Sequence, residues 1–265
     1  MTPIPHPFRP PFFLFALTLV IANLVLADQA RAALLSVEGQ ARDPKSERLL
    51  YREEHLFRRE GERPVERLVL YRCPDGVAFA RKRIDYRSSA TAPEFELVDA
   101  RGYREGLRRE GGQTVIWSGS KPPRPLRKSD GPLVADAGFD EFLRQSWSQL
   151  GAGKSRPLAF VVPAFGRSLA FEVRGLGRRG SGDAAVQRFE LRLEGLLGKV
   201  TSPISVEYTT TDRRLRRFAG LTNVRDGRGD QIEARIDFPD APQPAEAQRW
   251  QTAAAVPLAA CKIGR

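Results

Sequence analysis

Period-two alternation constrains this chain more than any other feature. In "QIEARIDF", Ile232, Ala234, Ile236 and Phe238 fall on one side, and Glu233, Arg235 and Asp237 on the other. "RFELRLEG" sets Phe189, Leu191 and Leu193 against Glu190, Arg192 and Glu194. "LAFEVRG" sets Leu169, Phe171 and Val173 against Ala170, Glu172 and Arg174. A strand sends successive side chains to opposite faces, so such runs belong to antiparallel sheets with one dry and one wet face. Turn residues divide them. "RLVLYRC-PDG-VAFARKRIDY" is a hairpin in which Pro74 presets φ and Gly76 takes a positive φ. Thr211–Arg214 and Asp226–Gly229 mark two more turns. These signals predict about nine to eleven strands.

One helix interrupts the pattern. Asp136 stands as an N-cap before "AGFDEFLRQSWSQLG", and Phe139, Phe142, Leu143, Trp147 and Leu150 share one face. Gly151 stands where a C-cap glycine is expected. "AEAQRWQTAAA" suits a second, weaker helix. Residues 118–132, "SGSKPPRPLRKSDGP", form a Pro-rich basic linker between an early and a late group of strands. The fold class is mainly β: a single curved antiparallel sheet, or an unclosed β-barrel, with one main helix packed on it. Residues 33–265 form a single β-rich domain.

The N-terminus predicts export. "FFLFALTLVIANLVLA", Phe12 to Ala27, carries no charge, and small residues follow at Ala30 and Ala32. This is the layout of a secretory signal peptide over residues 1–32, cleaved between Ala32 and Ala33. A membrane anchor is the alternative, but the run is short for a span of about 20 residues. The expected destination is the periplasm. The leader holds Arg9, Arg31 and Asp28, so the remaining chain carries 41 basic and 31 acidic residues. Such a balance usually suggests nucleic acid. Export argues against that and points to anionic envelope components, although segments such as "YREEHLFRREGERPVER" interleave both signs as a solvated surface does. Cys73 and Cys261 are the two cysteines. In an oxidising compartment they are expected to pair, two separate buried thiols being the alternative.

Motifs with chemistry are few. "GAGKS" lacks the glycine of a phosphate loop, since Ser148 stands in its place, and a helix precedes it where a strand is needed. "GLGRRGSG" precedes a strand, not the helix of a dinucleotide site. Arg228-Gly229-Asp230 sits in a turn that wants Gly and Asp anyway. Past the leader the chain has one histidine, His55, and no G-x-S-x-G elbow. Glu53 and Glu54 are adjacent in a strand and point to opposite faces. No catalytic residue, metal site or cofactor is assigned. The expectation is a monomeric binding protein rather than an enzyme. Its candidate ligand-binding residues are Phe139, Phe142, Trp147, Phe171 and Phe189, around a lipid or other apolar ligand. A solid-core protein with a basic surface for envelope components is the alternative. A hydrolase with a spatially assembled site is the third reading.

The stretch "YTTTDRRLRRFAGLTNVRDGRGDQIEARIDFP" resembles a family of uncharacterised periplasmic proteins of Gram-negative bacteria. Tyr208, Arg213 or Arg214, Leu215, Arg217, Phe218, Gly220, Leu221 and Asn223 carry the match. "PEFELVDARGYREGL" (93–107) and "VADAGFDEFLRQSW" (134–147) are similar to other segments of that group. The layout is remotely similar to the LolA and LolB type of lipoprotein carrier. That similarity implies an unclosed barrel with a helical lid over an acyl-chain cavity, and a lipid or lipoprotein as partner.

Overall fold

The computed structural model describes residues 1, 33–195, 198 and 201–263. Apart from Met1, the expected leader lies outside the described residues, as does Ala32 of the expected cleavage point; Ala33 is exposed. Among the described residues, no helix is long and apolar enough to cross a membrane.

Among the described residues, sixteen strands form one sheet. The first run is β1 (Leu34–Arg42), β2 (Leu49–Glu60), β3 (Arg63–Arg72), β4 (Ala78–Asp85), β5 (Glu94–Asp99), β6 (Arg104–Glu110), β7 (Gln113–Ser118) and β8 (Arg124–Pro125). The second is β9 (Leu133–Val134), β10 (Ser155–Val162), β11 (Arg167–Arg179), β12 (Val186–Leu193), β13 (Ile204–Thr209), β14 (Leu215–Arg225), β15 (Gln231–Asp237) and β16 (Gln243–Pro244). Helix α1 (Gly138–Gly151) lies between β9 and β10, and α2 (Ala247–Ala255) follows β16. Each run is a meander in which neighbours in sequence pair antiparallel, except that β9 lies parallel on β10 and β16 pairs β1 instead of β15. β1 joins the two runs by pairing β15, with Ala41 opposite Ile236.

The sheet curves but does not close: its order ends at β8 on one side and β9 on the other. Register shifts, such as those at Ala41/Arg42 and Gly175/Gly177, add bend and twist. Near the seam, Ile84, Phe95, Leu107 and Ile116 of the first run pack with Ala135 and Val161 of the second. In β1, a Cβ at Gly39 would come within 2.6 Å of the Phe238 ring and force that ring to shift.

The faces differ in what covers them. Inside, α1 bonds both runs through Asp140, which meets Arg67 of β3 and Tyr208 of β13. Outside, α2 covers Leu34, Leu56, Leu68 and Leu70 with Trp250, Ala253 and Ala254. Cys73 and Cys261 are joined by a disulfide, with Cα atoms 5.9 Å apart, which ties the segment after α2 to the end of β3.

Three expectations need correction. The strands number sixteen among the described residues, partly because β8, β9 and β16 are only two residues long and leave no alternation to read. β8 lies within the basic linker, residues 118–132, and β9 follows it directly. Asp136 does not cap α1: the N-cap is Ala137, without a side-chain hydrogen bond, and the Asp136 carboxylate turns to Lys82 and Asn223. Gly151 is the last helical residue rather than the cap, and Gly153 takes the left-handed conformation at φ 78°.

Candidate ligand-binding cleft

Alternate turns of a meander share one end of the sheet. The start of β1, the β2–β3, β4–β5 and β13–β14 connections and the end of β15 therefore meet at one end. There they surround an open cleft of about 690 Å³, with α1 as its inner side. Ligand pockets run from about 300 to 1,000 Å³.

Alternation explains the apolar wall. Leu35, Val37 and Phe57 face inward from β1 and β2, while Leu215 and Phe238 come from the far run. Six arginines and five carboxylates complete the lining. Most are spoken for. Arg67 Nη1 lies 3.1 Å from Asp140 Oδ2, and Tyr208 donates its hydroxyl to Asp140 Oδ1 at 2.5 Å. Glu141 accepts from Arg144 at 2.6 Å and from Arg59 at 3.3 Å. Arg214 pairs with Asp212 at 3.4 Å. Arg63 and Arg213 have no carboxylate partner among the described residues, and Arg213 instead stacks 5.2 Å from the Trp147 ring centroid.

The electrostatics keep the buried pair ionised. Burial pushes the Asp140 carboxyl up, but Arg67, Arg144 and the Tyr208 hydroxyl outweigh it and hold it below the ordinary aspartate value. Burial likewise opposes the charge on Arg67, and Tyr86, Asp140 and Glu141 reverse that effect. His55 also lines the cleft; its Nε2 is 2.8 Å from Glu53 Oε2, and its ring meets Phe238 edge-on at 5.3 Å. Glu53 and Glu54 do face opposite ways: Glu54 bonds Arg72 and Arg249.

The five aromatic candidates converge elsewhere. Phe139, Phe142 and Phe189 are buried, and Trp147 and Phe171 pack against the same cluster with Leu143, Leu150 and Val173. Trp147 meets Phe189 at 5.2 Å, and Phe160 meets Phe171 at 5.9 Å. None of the five lines this cleft. The residues that do line it were not grouped as a site in sequence because they come from α1 and five separate turns and ends. The one local signal was the i, i+2 spacing of Glu53, His55 and Phe57 on a single strand face.

"GAGKS" runs from the last turn of α1 into β10. "GLGRRGSG" lies in β11 and the bend after it, and Arg228 and Asp230 donate backbone N–H groups to Asp226 in their turn. Among the described residues no group of three or more His, Cys, Asp or Glu side chains is arranged to hold a metal.

No family model matches the chain, and no curated protein matches it. Among solved structures it is similar to a beta-barrel-like protein of the domain of unknown function DUF1849 from Brucella abortus. The identity is 11%, over 79% of this chain and 98% of that chain, with a TM-score of 0.46.

Proposed function

We propose that this is an exported periplasmic binding protein that takes the apolar part of an anionic amphiphile into the end cleft. The carrying observation is the juxtaposition of the Leu35, Val37, Phe57, Leu215 and Phe238 wall with two arginines, Arg63 and Arg213, that lack a carboxylate partner among the described residues. Each buried CH₂ of a ligand is stabilised by about 0.8 kcal/mol, and a rim guanidinium suits a phosphate or carboxylate head. The export step rests on the leader-like residues 1–32, and the carrier role is of the kind found in LolA-type proteins. The test is native mass spectrometry of protein expressed with its leader and recovered from the periplasm, followed by solvent extraction. A co-purifying amphiphile that is lost in Leu215→Glu and in Arg63→Glu/Arg213→Glu supports the reading. A ligand-free protein that also fails to take up a fluorescent fatty acid sinks it.

The solid packing of the α1 aromatics favours a second reading, an envelope interaction protein whose basic surface meets anionic polymers. Salt-sensitive binding to envelope fractions, unaffected by Leu215→Glu, selects that alternative.

A further inference from the structure

A second cleft, of about 800 Å³, lies over the outer face of β3–β7 and shares only Arg67 with the lining of the end site. Its floor follows from the register. Leu68, Arg83, Glu96, Gly106 and Trp117 are successive cross-strand partners on β3, β4, β5, β6 and β7. At about 4.8 Å per strand the row spans about 19 Å. Helix α2 covers its first end, where Leu68 packs in one cluster with Trp250. Trp117 stands at the other end, its ring over Gly106, where a Cβ would collide with it. Between the two indoles remains a trough of two to three strand spacings, roughly 10–14 Å wide.

The chemistry of the lining narrows the occupant. The apolar lining residues Ile84, Phe95 and Leu107 are buried on the other face, so between the indoles the side chains offered to a ligand are chiefly Arg83, Glu94 and Glu96, with Ala254 and Ala255 at the helix side. The charges cancel: Glu66 pairs with Arg58, Asp85 with Arg87, Glu96 with Arg104, and Arg108 with Glu110. Arg83 donates to the Ala254 carbonyl at 3.3 Å, and Glu94 is in no ion pair among the described residues. A strongly charged ligand therefore gains little. Two aromatic faces and a floor of planar donors and acceptors suit a ligand that alternates C–H faces with hydroxyl groups. Guanidinium groups now lie over both indoles, Arg58 at 5.0 Å from Trp250 and Arg108 at 5.1 Å from Trp117. Contacts of this kind at exposed sites are weak enough for a ligand to displace.

We propose that the trough between Trp117 and Trp250 is a binding site for an uncharged saccharide chain. The two rings stack on sugar faces, and Glu94, Glu96 and Arg83 bond the hydroxyls.

The chain's three tryptophans make the test direct: Trp117 and Trp250 line the trough, and Trp147 packs against the α1 cluster. In a Trp147→Phe background, fluorescence reports on the trough alone. The probes are chitotetraose and maltotetraose, titrated by fluorescence and by calorimetry. Saturable binding of either one is expected, weakened tenfold or more by Trp117→Ala or Trp250→Ala. Glu94→Ala is expected to weaken it about fivefold, the worth of one hydrogen bond, with the circular dichroism spectrum unchanged. Phe57→Asp, in the end cleft, is expected to leave sugar affinity as it was. The proposal is overturned if neither sugar saturates at millimolar concentration. It is equally overturned if folded Trp117→Ala and Glu94→Ala proteins bind as the parent does, or if Phe57→Asp abolishes binding.

Discussion

Lys82 Nζ lies 2.9 Å from Asp136 Oδ2 inside the curved sheet, and the same oxygen accepts from Asn223 Nδ2 at 3.0 Å. One carboxylate thus braces β4 of the first run to β14 of the second. Asp136 holds a left-handed φ of 46° while doing so, a conformation that Asp tolerates better than most residues. With side chains only 10% and 6% exposed, Lys82 and Asp136 form a buried pair. Lys82→Met leaves an uncompensated carboxylate and is expected to cost about 3–5 kcal/mol. Lys82→Met/Asp136→Asn is expected to lose less than the two single changes together. Urea unfolding of the four proteins checks the cycle, and simple additivity contradicts a direct pairing.

Acid sensitivity should have an identifiable source in Asp140. Its folded-state pKa is held below the ordinary aspartate value, so its contribution is complete above about pH 4 and is lost as pH falls through the folded value. Asp140→Asn is expected to be less stable at pH 7, because it strands Arg67. Its stability is also expected to fall less steeply than the parent's below about pH 4, as read from denaturant midpoints across a pH series.

Glu105 has the opposite sign. Burial raises its carboxyl above the ordinary glutamate value, against the opposing pull of the Tyr103 hydroxyl, which bonds it at 2.5 Å. Its favourable contribution is therefore complete below about pH 4.3 and fades as pH rises through the raised value. Glu105→Gln keeps an acceptor for Tyr103 without the charge. At neutral pH it is expected to match or exceed the parent in thermal stability, with the gain shrinking under acid conditions.

Alternation was legible where one face of a strand was apolar throughout, as along Ile232–Phe238. Along β2 it showed a strand but not which face is inner, because Glu53, His55 and Arg59 point inward beside Tyr51 and Phe57. A pattern scored on apolar residues treats an inward-facing charge as noise, yet these charges are satisfied by partners far off in sequence: Arg59 meets Glu141 across 82 residues. Asp136 shows the same limit. Its position before a helix suggested a cap, and only the folded chain brings Lys82 and Asn223 to it. Beyond the spacing of His55 and Phe57 on β2, the end cleft left no local trace, because topology alone assembles Arg63, Asp212 and Phe238.

The disulfide closes a sequence separation of 188 residues. On the loop-entropy relation such a closure is worth up to about 5 kcal/mol. Cys73→Ser/Cys261→Ser, or reduction of the parent, is expected to lower stability by a large fraction of that. The release should begin at the segment after α2, whose residue Ala259 donates its N–H to the Ala78 carbonyl at 2.8 Å. Hydrogen exchange in that segment should rise first; uniform exchange along the chain contradicts this order.

The aromatic stripe of α1 decides between a ligand wall and a packed core. Periodicity placed Phe139, Phe142 and Trp147 on one inward face, but a stripe looks the same against a cavity or against other side chains. In the fold Phe189 is fully buried, with Trp147 at 5.2 Å and Tyr208 at 6.1 Å. Removing its ring should therefore leave a void rather than open a site. Phe189→Ala is expected to cost about 3–5 kcal/mol in unfolding free energy. Phe189→Leu, which keeps most of the volume, is expected to recover much of that loss. Where Phe189→Leu is folded, its uptake of a fluorescent fatty acid should equal the parent's, since Phe189 is not part of the end cleft. A small stability loss for Phe189→Ala together with lost uptake would return these aromatics to the role of a ligand wall.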